Sequence, residues 1–109
     1  MNKYRDKSDF EINKAVAEEL IQSGFIIGVE YHDKHILVMD KYANNYPFDP
    51  CNNPADAWPI IIENGISSLF NGDEWICSAL DGEFLSINEN LYRAGCEVFM
   101  MMKDAENEK

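Results

Sequence analysis

Positive charge is what this chain has least of: nine Lys and Arg stand against 20 Asp and Glu, a net charge of -11. A surface of that sign opposes counterion release on DNA or RNA and attraction to anionic lipid, so neither nucleic acid nor membrane is expected as a direct partner. Long apolar runs are also missing. The longest, such as Val98 to Met102, cover a few residues where a bilayer needs about 20. Cysteine is limited to three residues without paired spacing, and the N-terminus lacks a basic start followed by an apolar core and a small-residue cleavage site. A disulfide framework and secretion therefore lose support, and a reducing cytoplasm is the expected setting. No Gly-x-Gly-x-x-Gly or Gly-Lys-Ser run offers a phosphate cradle, and no Cys-x-x-Cys or His-Glu-x-x-His pattern offers a zinc site. Neither a metal nor a cofactor is expected.

What remains is the composition of one ordinary domain spanning 1–109, with 46% of the chain apolar and 12% of it aromatic, and a polar tail at 103–109 expected to fray. The charge is uneven: residues 1–41 hold six bases and eight acids, whereas residues 42–109 hold three bases and twelve acids. Ser8 and Glu11 form a capping box ahead of Ile12, Val16 and Leu20, which predicts a helix from about Asp9 to Ser23 that Gly24 ends. The β-branched and aromatic stretch Phe25–Tyr31 and the run His35–Met39 predict a hairpin around Asp33-Lys34, followed by loop to Cys51. Asn53-Pro54 starts a second helix running to about Asn64, with Pro59 expected to kink it or to move its start toward Asp56. Asp81-Gly82 between Trp75–Leu80 and Glu83–Ile87 predicts a second hairpin, with a short extra strand at Ile66–Phe70 as an option. Asn88 can cap a last helix whose stripe is Leu91, Ala94, Gly95, Val98 and Met102. The order α-β-β-α-β-β-α predicts an α+β domain in which three helices cover a mostly antiparallel sheet of two hairpins.

Few residues suggest chemistry. His32 and His35, with Asp33, Asp40 or Cys51, are more simply hairpin polar residues than metal ligands, because they flank a turn. Cys77 and Cys96 read as small core residues, and Cys51 is the one plausible reactive thiol. Close acid pairs such as Asp73-Glu74 and Asp81 with Glu83 are inevitable at this acid content and read first as solvated surface. No nucleophile and base can be paired, so no catalytic residue is assigned and an enzyme is the least supported reading. Arg93 is the one Lys or Arg between Tyr42 and Met102, among nine acids. It reads either as a local partner of Glu89 or Glu97 or as a guanidinium fork for an anion. Trp58 reads as core or as a stacking platform, and the helix start after Asn52-Asn53 adds N–H donors.

Three segments carry a resemblance: Ser8-Asp9-Phe10-Glu11-Ile12-Asn13-Lys14, then Cys51-Asn52-Asn53-Pro54-Ala55-Asp56-Ala57-Trp58-Pro59-Ile60-Ile61, and Leu91-Tyr92-Arg93-Ala94 leading to Phe99-Met100-Met101-Met102. The chain resembles the NinX-like proteins of lambdoid bacteriophages, a family of unassigned function, and more loosely the phage alpha-beta-alpha sandwich proteins. It departs from the family pattern in its shorter Ala55-to-Ala57 spacing and in Gly rather than Ala at position 95. The resemblance implies a phage accessory protein in the cytoplasm of an infected bacterium. Two functional readings follow. In one, Asn52, Asn53, Trp58 and Arg93 bind and sequester a small anionic host ligand, such as a nucleotide-derived signal. In the other, acidic residues such as Asp73, Glu74, Asp81 and Glu83 act as a decoy that inhibits a host nucleic-acid-binding protein. Tyr42, Tyr46 and Phe48, in an expected exposed loop, suggest a homo-oligomer, most simply a dimer.

Overall fold

The computed structural model describes residues 2–108. Helix α1 spans Asp9–Gln22, strands β1, β2 and β3 span Gly28–His32, His35–Met39 and Asn45–Pro47, and helix α2 spans Pro54–Glu63. Strands β4, β5 and β6 follow at Ser67–Phe70, Trp75–Ala79 and Phe84–Asn88, and helix α3 closes the chain at Leu91–Asn107. The fold is α+β, with both expected hairpins present. Each is extended by a third antiparallel strand, so there are two separate sheets, β1-β2-β3 and β4-β5-β6. Strand β3 falls in the stretch expected to be loop. Its Pro47 cannot donate to a ladder, a defect that an edge strand tolerates.

Helix boundaries follow the caps. Ser8 Oγ accepts the Glu11 N–H at 3.1 Å, while its hydroxyl donates to the Glu11 carboxylate at 3.2 Å, and Asp9 and Glu11 complement the helix dipole. Helices α1 and α2 end alike. Gly24 and Gly65 have φ of 85° and 64°, and the residues after them, Phe25 and Ile66, donate N–H to the carbonyls of Leu20 and Ile61. Asn53 caps α2 at Pro54, so Pro59 is accommodated inside a helix that starts where the Asn-Pro signal lies, not nearer Asp56. The cap of α3 is Asn90 rather than Asn88: Asn90 Oδ1 accepts from Tyr92 and Arg93, and Asn88 Oδ1 accepts the Asn90 N–H. The stretch expected to fray from Lys103 stays helical to Asn107, where Asn107 Nδ2 donates to Glu19.

Helix α3 is the central element, packing on β5, β6, α2 and α1. Every residue from Arg93 to Met100 is buried. Gly95 explains how α2 comes so close: a Cβ there would sit 2.7 Å from Ile61 Cδ1 and 2.8 Å from its Cγ1. Gly95→Ala gains about 1 kcal/mol of helix propensity but overpacks this contact at about 1–3 kcal/mol. We expect a net loss of about 1 kcal/mol in urea unfolding, with the pair Gly95→Ala/Ile61→Ala less destabilised than the sum of its single changes.

Candidate functional site

The N-terminal ends of all three helices meet at the loop before α2. Asn13, buried on α1, accepts the Cys51 N–H at 3.0 Å and donates to Asp49 at 2.7 Å. Asn90, at the start of α3, donates to the Cys51 carbonyl at 2.6 Å. Asn52 Nδ2 donates to Asp9 Oδ2 at 3.1 Å, and Arg93 donates from Nη1 to the other oxygen of the same carboxylate at 2.7 Å. Asn52 and Arg93, paired on sequence grounds, are thus brought together across Asp9.

The guanidinium is turned inward. Its Nε donates to Glu97 at 2.6 Å, and its Nη2 donates to the carbonyls of Tyr4 at 2.9 Å and Lys7 at 2.6 Å. Burial works against its charge, but the hydrogen bonds to Asp9 and Glu97 outweigh that and push its pKa up. Glu97, only 1% exposed, also accepts from Asn2 at 2.6 Å and from Ser86 at 2.5 Å. Every guanidinium nitrogen is therefore engaged, by the N-terminal segment, by Asp9 at the start of α1 and by Glu97 of α3. The local pairing takes Glu97, one turn on, instead of Glu89.

Asn53 is occupied as a cap, accepting from Ala55 at 3.1 Å and donating to Asp56 at 3.1 Å. Trp58 is 37% exposed on α2 and meets the Tyr92 ring edge-on at 5.9 Å. Cys51 is buried with the other two thiols. The neighbouring Cys96 thiol and burial both push the Cys51 pKa far up, which makes it the opposite of a reactive thiolate. Cys77 is likewise pushed up to about 11 by burial. His32 and His35 face each other across the β1–β2 pair, and no group of three potential metal ligands exists among the described residues. Asp73-Glu74 precedes β5 whereas Asp81 and Glu83 follow it, so these four acids lie at opposite ends of the second sheet and share no patch.

Two concavities flank Phe48, a residue expected in an exposed loop but only 8% exposed. One, of about 520 Å³, lies beside the helix hub between α1 and β2 and includes Asn13, His35, Asp49 and Asn52. The other, of about 360 Å³, is a groove between the end of α1, β2, β3, α2 and α3. Its aromatic walls are Phe25, Tyr46, Phe48 and Phe99, with Ser23, Asp56, Glu63, Asn64 and Lys103 supplying polar groups. Phe25 is 61% and Tyr46 40% exposed. Burial raises the pKa of Asp56, although the N–H groups of Asp49 and Asn53 hold it partly down. A mostly apolar groove with a few convergent polar groups and one perturbed carboxyl has the attributes of a binding site. Sequence reasoning missed it because its walls come from five elements, and its two exposed aromatics were read otherwise, Phe25 as the start of a strand and Tyr46 as an oligomer contact.

No helix among the described residues is long and apolar enough to cross a membrane. Neither curated proteins nor solved structures yield a match to this chain. A family model described as Bacteriophage P22, NinX matches residues 3–103, from the N-terminal segment tied down by Arg93 to the last third of α3, and the chain belongs to that phage family.

Proposed function

We propose that this phage protein binds and sequesters a small host molecule, a flat heteroaromatic ring carrying an anionic group, as a nucleotide-derived compound does. The observation that supports this is the groove of about 360 Å³ with two exposed aromatics, Phe25 and Tyr46, at a mouth that also holds Lys103. Stacking supplies affinity that is indifferent to the chain's net charge, while Lys103 meets the anion at the rim and Asp56 accepts from an amino-bearing ring edge. Anion recognition on this account rests on Lys103, whose one ion pair among the described residues, with Glu106 at 3.1 Å, is a surface contact that a ligand anion can displace, instead of Arg93, whose nitrogens are held in a buried network. Asn52 contributes to the neighbouring concavity, and Asn53 acts by holding Asp56 in place.

The test is calorimetric titration with purine and pyrimidine nucleoside monophosphates. Base stacking is worth about 1–3 kcal/mol per ring, so Phe25→Ser and Tyr46→Ser should each weaken binding about tenfold while leaving thermal unfolding nearly unchanged. No binding by any of these nucleotides at millimolar concentration, or binding by both variants as tight as by the wild type, would refute the reading.

A further inference from the structure

We propose that a second copy of this chain pairs with the open edge of β4, in a two-fold arrangement centred on Leu69. The second sheet is the setting. In a chain of net charge -11, no strand residue of β4, β5 or β6 is charged. The face turned away from α3 carries a cross-strand row in which Leu69 lies opposite Ile76, and Ile76 opposite Ile87. Leu69 is 65% and Ile87 48% exposed. Edge strands are normally blunted by charge, proline or a covering segment, and β4, Ser67-Ser68-Leu69-Phe70, has neither charge nor proline. Among the described residues no strand pairs with its outer side.

The ladder decides the register. Asn71 donates its N–H to the Glu74 carbonyl at 3.0 Å, closing the β4–β5 hairpin. Hydrogen-bonded and non-hydrogen-bonded pairs alternate along antiparallel strands, so Leu69 and Ser67 direct their backbone groups to β5, while Ser68 and Phe70 direct theirs to the open side. An antiparallel copy placed with Leu69 opposite its own counterpart sets Ser68 opposite Phe70 of the second copy, and Phe70 opposite Ser68. Both are then hydrogen-bonded pairs. Leu69 faces its counterpart in the closer, non-hydrogen-bonded position, and the apolar row continues unbroken across both sheets. A residue-by-residue match to itself is what an isologous interface requires. A second copy also meets no charge along the paired strands, so repulsion between the two acidic bodies is carried only by more distant groups that salt screens.

Sedimentation velocity of the full chain tests this. The expected result is a monomer–dimer equilibrium at tens to hundreds of micromolar that shifts toward dimer as salt rises. Ser68→Pro removes an outward N–H without breaking a bond to β5, and Leu69→Lys places a charge opposite itself at the axis. Each should weaken dimerisation at least tenfold with circular dichroism unchanged. In the dimer the Ser68 and Phe70 amides should exchange with solvent more slowly than in the Leu69→Lys monomer. A wild-type monomer at several hundred micromolar in 0.5 M salt, or a dimer that survives both substitutions, would overturn the proposal, the second outcome pointing to another surface. No residue of this sheet lines the aromatic groove, so this result and the ligand titration succeed or fail separately.

Discussion

Arg93→Met is expected to cost about 3–5 kcal/mol of folding stability, a large part of the roughly 5–15 kcal/mol that holds such a domain folded. The reason is Glu97, whose carboxylate is buried on α3 with Arg93 Nε at 2.6 Å as its charged partner. Removing the guanidinium leaves that charge uncompensated, and the carbonyls of Tyr4 and Lys7 lose their donor. Adding Glu97→Gln should recover much of the loss, because the buried charge disappears while an acceptor for Asn2 and Ser86 remains. Arg93→Lys should fall between wild type and Met, since a point charge cannot reach Glu97, Asp9 and two carbonyls at once. Guanidinium unfolding midpoints of the three variants check the order. A loss below about 1 kcal/mol for Arg93→Met would show that this network does not anchor the N-terminal segment to α3.

Phe48→Ala is expected to cost about 3–5 kcal/mol, the range for removing a large side chain from a core. Phe48 is 8% exposed and forms the partition between the two concavities, so its loss removes packing from both sides and joins them. Tyr42, another aromatic of the same stretch expected to be loop, is 74% exposed, and Tyr42→Ser should change stability by less than about 0.5 kcal/mol. Thermal and urea unfolding of the two variants measure the contrast. Near-equal effects would contradict the placement of Phe48 in the core. The substitution also takes away one wall of the groove, so nucleotide affinity should fall in the same variant even where it is fully folded.

The helices were legible because their signals are local. Ser8 with Glu11, Asn53 with Pro54, and the glycines at 24 and 65 mark boundaries through bonds made within a few residues. Strand β3 was not legible, since Asn45-Tyr46-Pro47 owes its extended state to pairing with Leu37, Val38 and Met39 and carries a proline that argues against a strand. The division into two sheets was equally invisible, because alternation shows which face a strand buries and not which strand it joins. Arg93 was recognisable as exceptional from its isolation among acids. Its partners Tyr4, Lys7 and Asp9 lie more than eighty residues away, so spacing alone left the inward and outward roles open. Gly95, a departure from the family pattern, is explained only by Ile61 across the α2–α3 contact.

Native mass spectrometry of the protein purified gently from bacterial host lysate tests the central claim most directly. The account predicts a small-molecule adduct on the wild-type chain, containing a heteroaromatic ring and an anionic group, that is lost from the Phe25→Ser/Tyr46→Ser double variant while the Leu69→Lys variant keeps it. A wild-type chain at its bare mass, or an adduct retained equally by the double variant, would contradict it.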